Sequence, residues 1–278
     1  MPELPEVQAH AERLDAAFSG AVLERFVPLS FTALKTAVPP TGDAHGHPLV
    51  FMGRRGKYLL LDLGVLTFVV HLMQGGRLRV DEKQSAKPRN GVARWVFADG
   101  RALLLTEAGT ERKAGVWAVA SDPETQAPLD RLGPEADLVE PGTLLEAFRA
   151  TPMRLHGLLR DQRILAGVGR RLANEVCHRA CLSPFASTGK LGAAEAATVV
   201  EAIRACVNES LAVERGRDDM SSSAERPGNV HGRAGDACPV CGDTVRSVEY
   251  RAYRIDYCPT CQTGGKLLAD NTTSKFLR

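Results

Sequence analysis

Two cysteine pairs near the C-terminal end constrain the fold of this chain more than any other feature. Cys238 and Cys241 form one CxxC pair, Cys258 and Cys261 form a second, and 16 residues separate the pairs. Two such pairs supply four thiolates to one tetrahedral ion, the arrangement of a structural zinc site. The spacing predicts one structural zinc ion and a β-hairpin over residues 245–257. Two redox-active CxxC motifs are the alternative, but no βαβ pattern surrounds them.

The composition is that of a folded protein from a reducing compartment. Of the 278 residues, 44% are hydrophobic and 24% are charged, which is ordinary for globular domains. The sequence has neither an apolar run of about 18 residues nor a signal-peptide pattern. We therefore expect a cytoplasmic protein in which disulfides are rare. The other three cysteines, Cys177, Cys181 and Cys206, are expected to be small core residues.

Basic residues are concentrated in three places although the net charge is only +2. Six arginines lie in residues 154–179, a Gly-Arg-Arg-Gly-Lys cluster occupies residues 53–57, and a further group lies in residues 251–278. Separate basic clusters on a nearly neutral chain indicate phosphate contacts at defined places. Solvated surface charge is the alternative reading.

The first half of the chain has the pattern of a β-sandwich or a β-barrel. Residues 5–18 have the apolar spacing of an amphipathic helix. Turn signals then separate short segments that we predict as strands: residues 21–27, 48–52, 57–63, 65–71, 76–80, 92–98, 101–106 and 116–120. The pair Asp99-Gly100 predicts a two-residue hairpin turn. His71, which follows an apolar strand, is expected to have a structural role.

The second half is helical in pattern and begins after a linker at residues 121–128. Helices are predicted over residues 143–150, 154–160, 171–181 and 192–214, and a mobile loop over residues 215–237. The sequence Gly167-Val168-Gly169 breaks two helices just before Arg170, where exposed backbone N–H groups can bind phosphate; an ordinary helix–turn–helix connection is the alternative. The predicted domains are residues 1–127, 128–236 (with a mobile loop at 215–236) and 237–278.

The first residues carry the strongest chemical signal. If Met1 is removed, Pro2 has a free secondary amine that can attack a sugar or carbonyl carbon and form an iminium. A carboxylate, Glu3, lies beside it. The alternative is that Pro2 and Pro5 only open the following helix.

Taken together, these motifs resemble the formamidopyrimidine-DNA glycosylase/endonuclease VIII family of base-excision repair enzymes. The N-terminal Pro-Glu-Leu-Pro-Glu, the Lys57 hairpin, the Gly-Val-Gly break, residues 230–233 and the paired CxxC motifs occur in one order over nearly the whole chain. The resemblance implies an α+β multidomain fold. Its parts are an N-terminal β-sandwich flanked by helices, a helix-two-turn-helix domain and a C-terminal zinc-finger hairpin.

The resemblance also implies an activity and roles for individual residues. Pro2 is the expected nucleophile at C1′ of a damaged nucleotide, Glu3 the acid/base, and Glu6 a support for this segment. Lys57 is expected to contact the phosphate backbone. The implied enzyme is a bifunctional DNA glycosylase/AP lyase that acts on double-stranded DNA containing damaged bases or abasic sites. We expect it to be a monomer associated with the bacterial nucleoid through DNA.

Three departures from the family pattern concern DNA contacts. Gln74 stands where the family has a stack-filling methionine, with Met73 one place early, and Arg112 or Lys113 is the substitute for an absent phenylalanine wedge. Arg170 stands where a phosphate-binding asparagine is expected.

The third departure is in the finger, where Tyr253 stands in the place of a phosphate-binding arginine. Arg254 is the nearer substitute, and Arg251 lies on the same hairpin face as Tyr253. The departures leave two alternatives to the implied activity. One is a non-catalytic protein that binds damaged DNA, and the other is a glycosylase for bulky or cross-linked bases.

Overall fold

The computed structural model describes residues 1–109, 113–120, 122–221, 225, 228–250 and 253–268. Arg112 and Arg251 lie outside these residues. The helices are α1 Leu4–Phe18, α2 Pro141–Ala150, α3 Leu155–Arg160, α4 Arg170–Arg179, α5 Ala193–Arg215 and α6 Pro259–Thr263. The strands are β1 Leu23–Pro28, β2 Phe51–Arg55, β3 Tyr58–Asp62, β4 Thr67–His71, β5 Gly76–Val80, β6 Gly91–Phe97, β7 Ala102–Glu107, β8 Gly115–Val119, β9 Arg246–Glu249 and β10 Arg254–Tyr257.

The chain divides into two compact units. The first contains Met1–Arg131 and Arg217–Met220, and the second contains Leu132–Gly216 and Ser221–Arg278. None of the described helices combines the length and the apolar character that crossing a membrane requires.

The first unit is a β-sandwich, as the resemblance implies. One sheet has the order β1-β6-β7-β5 and the other β2-β3-β4-β8, and all described pairings in both are antiparallel. Aromatic rings join the two sheets: Phe68 lies 4.9 Å from Phe26 and 5.7 Å from Trp95 between ring centroids. A hairpin at Asp99-Gly100 does connect the antiparallel strands β6 and β7. Its loop is longer than the predicted two residues, because Val96 pairs with Ala102 and the Phe97 N–H donates to the Arg101 carbonyl.

Helix α1 covers one edge of this sandwich. Its apolar stripe of Val7, Ala11, Leu14 and Phe18 is buried in the same core as the strands. Burial of such a stripe stabilises the fold by about 25 cal/mol for each Å² of apolar surface removed from water. The Asp15 carboxylate also accepts the backbone N–H of Met52 at 2.7 Å. The C-terminal half of α1 is therefore fixed to strand β2.

Strand β2 differs from its prediction. The apolar pattern places a strand at residues 48–52, whereas β2 covers Phe51–Arg55. The cause is the backbone ladder, since Phe51 pairs with Asp62 and Arg55 with Tyr58 on β3. Side-chain polarity does not reveal this pairing because β2 is an edge strand that tolerates charge.

In the second unit, helices and the cysteine-bearing hairpin form one compact body. Helix α5 packs on α2 and α4, and α4 also contacts β10 and α6. Strands β9 and β10 form the predicted antiparallel hairpin between the two cysteine pairs. Val230 and Val245 are fully buried beside Cys238 and Cys258.

The segment predicted as a mobile loop is anchored at several described residues. Met220 is 3% exposed and belongs to the sandwich core. Ser221 donates its hydroxyl to the buried carboxylate of Glu214 at the end of α5. Val230 is also fully buried. The prediction of mobility rested on the polar composition of the whole segment. Composition does not reveal that single apolar residues within it, such as Met220 and Val230, are buried in a core.

Candidate active site and metal centre

The N-terminal segment is fixed by a pair of carboxylates at the start of α1. Glu3 is the N-cap residue, and its backbone N–H donates to Glu6 Oε2 at 2.8 Å. The Glu3 carboxylate in turn accepts the backbone N–H of Glu6, which completes a capping box. Pro2, Glu3 and Glu6 are all buried. The direction of Pro2 is therefore set by the helix that follows it.

Lys57 lies in the turn between β2 and β3, which α1 holds in place. Gly56 has φ +56°, in the left-handed region that favours glycine, and allows the tight turn before Lys57. On β2, Arg54 donates Nε to the Gln8 side chain of α1 at 2.9 Å. Lys57 is only 9% exposed. A short hairpin and one helix thus carry the predicted residues Pro2, Glu3 and Lys57.

His71 lies near Lys57 in the sandwich. Sequence reasoning expected only a structural role for His71 and missed this proximity. Its ring lies 4.6 Å from that of Tyr58, its partner in the β3–β4 register. Burial, reinforced by the nearby charge of Lys57, lowers the pKa of His71 to about 4. Because Nδ1 accepts the backbone N–H of Met73 at 3.1 Å, the proton of the neutral ring is on Nε2. The available signal was the position of His71 at a strand end, just before the Met73-Gln74 turn.

The turn after β4 presents the two residues predicted to fill the DNA stack. Met73 has φ +51°, a left-handed conformation that is strained for a side chain of this type. A Cβ on Gly75 would lie 2.1 Å from the Ala108 oxygen, and one on Gly76 would lie 2.0 Å from the Leu72 oxygen. The backbone is therefore closely packed here, and Gln74 is exposed at the tip.

One buried carboxylate links the described residues on the two sides of the predicted wedge Arg112. Glu107 is 4% exposed at the end of β7 and accepts the backbone N–H of Ala114 at 2.7 Å. Arg112 itself lies outside the described residues.

In the second unit, a glutamine side chain stabilises the break between α3 and α4. Gln162 donates Nε2 to the carbonyls of Arg160 at 2.9 Å and Val168 at 2.8 Å, and its Oε1 accepts the Gly167 N–H at 3.0 Å. Gly167 has φ +100°, which a side chain would strain. Arg170 is the first residue of α4 and is partly exposed.

Arg171, the neighbour of Arg170, does not contribute to an exposed basic patch. It is 4% exposed, and its guanidinium would lie 2.9 Å from a Cβ on Gly228. The arginine-rich pattern of this helix therefore contains both surface and buried charges, which the sequence could not separate.

A cation does lie at Tyr253, but it comes from α3. The guanidinium carbon of Arg160 is 4.8 Å from the centroid of the Tyr253 ring, in cation–π geometry. The Tyr250 ring stacks on Tyr253 at 4.8 Å, and its hydroxyl accepts a hydrogen bond from Arg154 at 2.8 Å. The sequence did not reveal this cluster because its members come from two distant segments.

Arg254 is anchored to a buried carboxylate. Its Nε lies 3.3 Å from Asp256 Oδ1, and its side chain remains 46% exposed. Asp256 is fully buried and accepts the Gly232 N–H at 2.7 Å and the Ser247 hydroxyl. The guanidinium is thus oriented by the hairpin while staying accessible. Arg251 lies outside the described residues.

The four predicted cysteine ligands lie together. The sulfur atoms of Cys238 and Cys261 are 4.0 Å apart, and those of Cys241 and Cys258 are 3.3 Å apart. Bonds of about 2.3 Å to a tetrahedral zinc ion would separate its sulfur ligands by about 3.8 Å. His178 of α4 lies with three of these cysteines in a group able to hold a metal ion. The donor set fits zinc.

The remaining cysteines contribute to no metal group among the described residues. Cys177 is fully buried, and burial raises the pKa of its thiol well above the ordinary value. Burial also raises the pKa of Cys206 to about 11. Cys181 is exposed. Cys177 and Cys206 therefore have the predicted core role, whereas Cys181 does not.

Comparison with known proteins places this geometry in context. The family described as "Formamidopyrimidine-DNA glycosylase N-terminal domain" matches residues 1–116. A formamidopyrimidine-DNA glycosylase of Halorhodospira halophila is 32% identical over 274 residues, covering 94% of this chain and 100% of the relative. An uncharacterized formamidopyrimidine-DNA glycosylase-like protein of Mycobacterium tuberculosis is 38% identical over 162 residues, covering 58% of this chain and 100% of the relative.

Two solved structures share the fold over almost the whole chain. The MutM (Fpg) protein of Thermus thermophilus has a TM-score of 0.80 at 29% identity, covering 96% of this chain and 100% of that one. The Fpg of Lactococcus lactis, non-covalently bound to DNA containing an AP site, has a TM-score of 0.80 at 19% identity, covering 94% and 99%.

Proposed function

Because this chain belongs to the formamidopyrimidine-DNA glycosylase family, we propose that it is a bifunctional DNA glycosylase/AP lyase. It excises oxidised or ring-opened bases and then cleaves the strand at the abasic site by β,δ-elimination. The observation that carries the proposal is the buried Pro2-Glu3 segment, fixed by the capping box at the start of the helix that holds the Lys57 hairpin.

Pro2 is the proposed nucleophile once Met1 is removed. Its nitrogen attacks C1′, the bond from C1′ to the base breaks, and the base leaves with a proton. Opening of the sugar ring leaves an iminium between Pro2 and C1′. An α-amino group has a reference pKa of about 7.7–8.0, so a useful fraction of the amine is unprotonated near neutral pH. The buried, helix-fixed position of Pro2 supports this role because attack requires a defined direction.

Glu3 is the proposed acid/base. It gives a proton to the ring oxygen as the C1′–O4′ bond opens and accepts one in the later steps. The iminium then acidifies the 2′ protons, so that loss of one proton expels the 3′ phosphate and a second elimination expels the 5′ phosphate. Supporting this role, Glu3 is 3% exposed and adjacent to Pro2 in a fixed cap. Glu6 holds that cap by accepting the Glu3 N–H.

The partner is double-stranded DNA containing damaged bases or abasic sites, bound by the protein as a monomer. Lys57, Arg170 and the finger cations bind phosphate in this proposal. Neutral His71, with its proton on Nε2, is a further donor beside Lys57. Several separate phosphate contacts make binding steeply dependent on salt.

Lesion choice rests on the residues that replace the flipped nucleotide. Extrusion of a base costs a few kcal/mol, and side chains that fill the gap offset part of that cost. Met73 and Gln74 are the proposed filling residues, with Arg112 as the partner from the next loop. The Gln74 amide and the Arg112 guanidinium fill the space left by the flipped base less completely than a phenylalanine would. Extrusion is therefore favoured for bases that are already poorly stacked in the duplex.

We further propose that Cys238, Cys241, Cys258 and Cys261 hold one structural zinc ion. The ion would fix the two knuckles that carry the β9–β10 hairpin and would thereby order Arg254.

Borohydride trapping tests the proposed activity. Reduction of the iminium on abasic-site or lesion DNA should give a covalent protein–DNA adduct with the native protein. Glu3→Gln should abolish excision of the damaged base from lesion DNA while DNA binding is largely kept. Gel-shift binding without an adduct, in protein shown by mass spectrometry to lack Met1, would favour a non-catalytic damage-binding protein instead. A panel that includes bulky and cross-linked bases separates the remaining alternative.

A further inference from the structure

His178 lies beside the cysteine cluster but comes from helix α4. Its Nε2 atom is 3.4 Å from the sulfur of Cys238, and the side chain is 3% exposed. The ligand atoms of His178, Cys238, Cys258 and Cys261 all lie within 4.8 Å of one another. Four potential ligand atoms are therefore close enough to share one ion without Cys241.

The distance between His178 Nε2 and the Cys238 sulfur fits two ligands of one zinc ion. A tetrahedral zinc ion with bonds of about 2.3 Å to sulfur and about 2.0 Å to nitrogen separates such a pair by about 3.5 Å. Among the described residues, the Nδ1 atom of His178 has no hydrogen-bond partner. The described residues therefore do not orient the ring through Nδ1. A bond from Nε2 to a metal ion would orient it.

The four cysteines are not equally protected. Cys238 is 1% exposed and Cys258 is fully buried, whereas Cys241 is exposed. Reagents in solvent therefore reach Cys241 before the others. The exposed cysteine is the one that the His178 group does not need.

We propose that His178 is a reserve zinc ligand. When the Cys241 thiolate is lost, His178 Nε2 takes its position and the ion stays bound by Cys238, Cys258, Cys261 and His178. The proposal rests on the zinc site proposed above. Since α4 begins at Arg170, the exchange ties the helix that carries this phosphate-binding candidate directly to the finger.

A double-mutant cycle on the full-length protein tests the reserve ligand. His178→Phe keeps a ring in the buried site but removes both nitrogens. Zinc affinity is measured by competition with a chelator for the wild type, His178→Phe, Cys241→Ser and the double variant. We expect His178→Phe to weaken binding less than about 10-fold alone but at least about 100-fold in the Cys241→Ser background. Cobalt substitution should show about a quarter less thiolate charge-transfer absorption in Cys241→Ser.

Cys258→Ser is the matched control, because Cys258 belongs to the group that includes His178. Adding His178→Phe to Cys258→Ser should change zinc affinity much less than adding it to Cys241→Ser. An equal factor for His178→Phe in the wild type and in Cys241→Ser would overturn the proposal and make His178 an N–H donor to a thiolate. A wild type that binds no zinc would overturn the zinc site itself, which separates the two failures.

Alkylation of the native zinc-loaded protein gives the same test without variants that could misfold. Iodoacetamide forms a sulfur–carbon bond with a thiolate and releases iodide. Peptide mapping should find Cys241 modified first, with one zinc still bound per chain, and His178→Phe should lose zinc under the same treatment. Loss of zinc from both proteins at equal rates would contradict a reserve ligand.

Discussion

The two units of this protein differ in how closely they follow the family pattern. In the first unit, the Pro2-Glu3 segment and the Lys57 hairpin carry the motifs expected from the sequence, and a capping box fixes that segment. In the second, Arg170 stands where we expected an asparagine, and the guanidinium of Arg160 lies over the ring of Tyr253. We infer from this difference that the proposed reacting groups need one geometry, whereas phosphate can be bound by cations from several elements.

The largest expected effect comes from blocking the nitrogen of Pro2. A protein with one extra residue before Pro2 has no secondary amine, so excision and strand cleavage should fall by more than about 1,000-fold. Single-turnover cleavage of lesion DNA measures this loss. DNA affinity should change by less than about 2-fold, which separates a chemical defect from a binding defect. Retained cleavage would show that the first unit does not act through Pro2.

Acid should destabilise the protein through buried histidines, mainly in the first unit. Burial lowers the pKa of His10 and His71 to about 4, and that of His156 in the second unit to about 3. The unfolded chain then binds more protons than the folded chain between pH 6.5 and these values, so stability rises with pH across this window.

The expected loss on going from pH 7 to pH 4.5 is about 2 kcal/mol for each of these histidines, at about 1.4 kcal/mol for each pKa unit. Denaturant unfolding at the two pH values measures it. His10→Gln, which removes the titrating ring that bonds to the Leu78 carbonyl, should flatten the pH dependence of the first unit. The same slope in wild type and variant would remove His10 from this explanation.

Arg160 should matter for DNA binding if the second unit has replaced its phosphate contacts. Arg160→Ala should weaken binding to abasic-site DNA about 10-fold and lower the salt slope by about 1. Arg163→Ala is the matched control, because Arg163 is exposed and already paired with Asp161 at 2.6 Å. Equal effects of the two substitutions would mean that only the overall charge matters. Fluorescence anisotropy at several salt concentrations measures the DNA affinity and its salt slope for each variant.

The smallest expected effect concerns the α3–α4 break. Gln162→Ala removes three hydrogen bonds to the backbone around Gly167 and should cost about 1–2 kcal/mol of stability. Lesion cleavage should fall only through weaker DNA binding, with the single-turnover rate at saturating protein unchanged. A reduced saturating rate would show that this turn affects the chemistry of the first unit.

The sequence predicts most of the local structure and the residues that lie close together along the chain. Helix α1, the hairpin at Asp99-Gly100 and the paired cysteines follow from spacing alone, because their determinants lie within a few residues. Strand β2 was misplaced because its bounds depend on pairing with β3.

The contacts that the sequence missed join distant segments. His71 meets Tyr58 through strand register, Arg160 meets Tyr253, and His178 meets Cys238 across 60 residues. No local periodicity encodes such a pair, so they emerge only when the chain is folded.

The central claim is that the amine of residue 2 performs the chemistry. The most direct measurement is mass spectrometry of the borohydride-trapped adduct, digested to peptides and nucleotides. We predict that the deoxyribose-derived mass is attached to the nitrogen of Pro2 in a peptide that lacks Met1. Attachment to a lysine such as Lys57, or a trapped adduct on protein that retains Met1, would contradict the account.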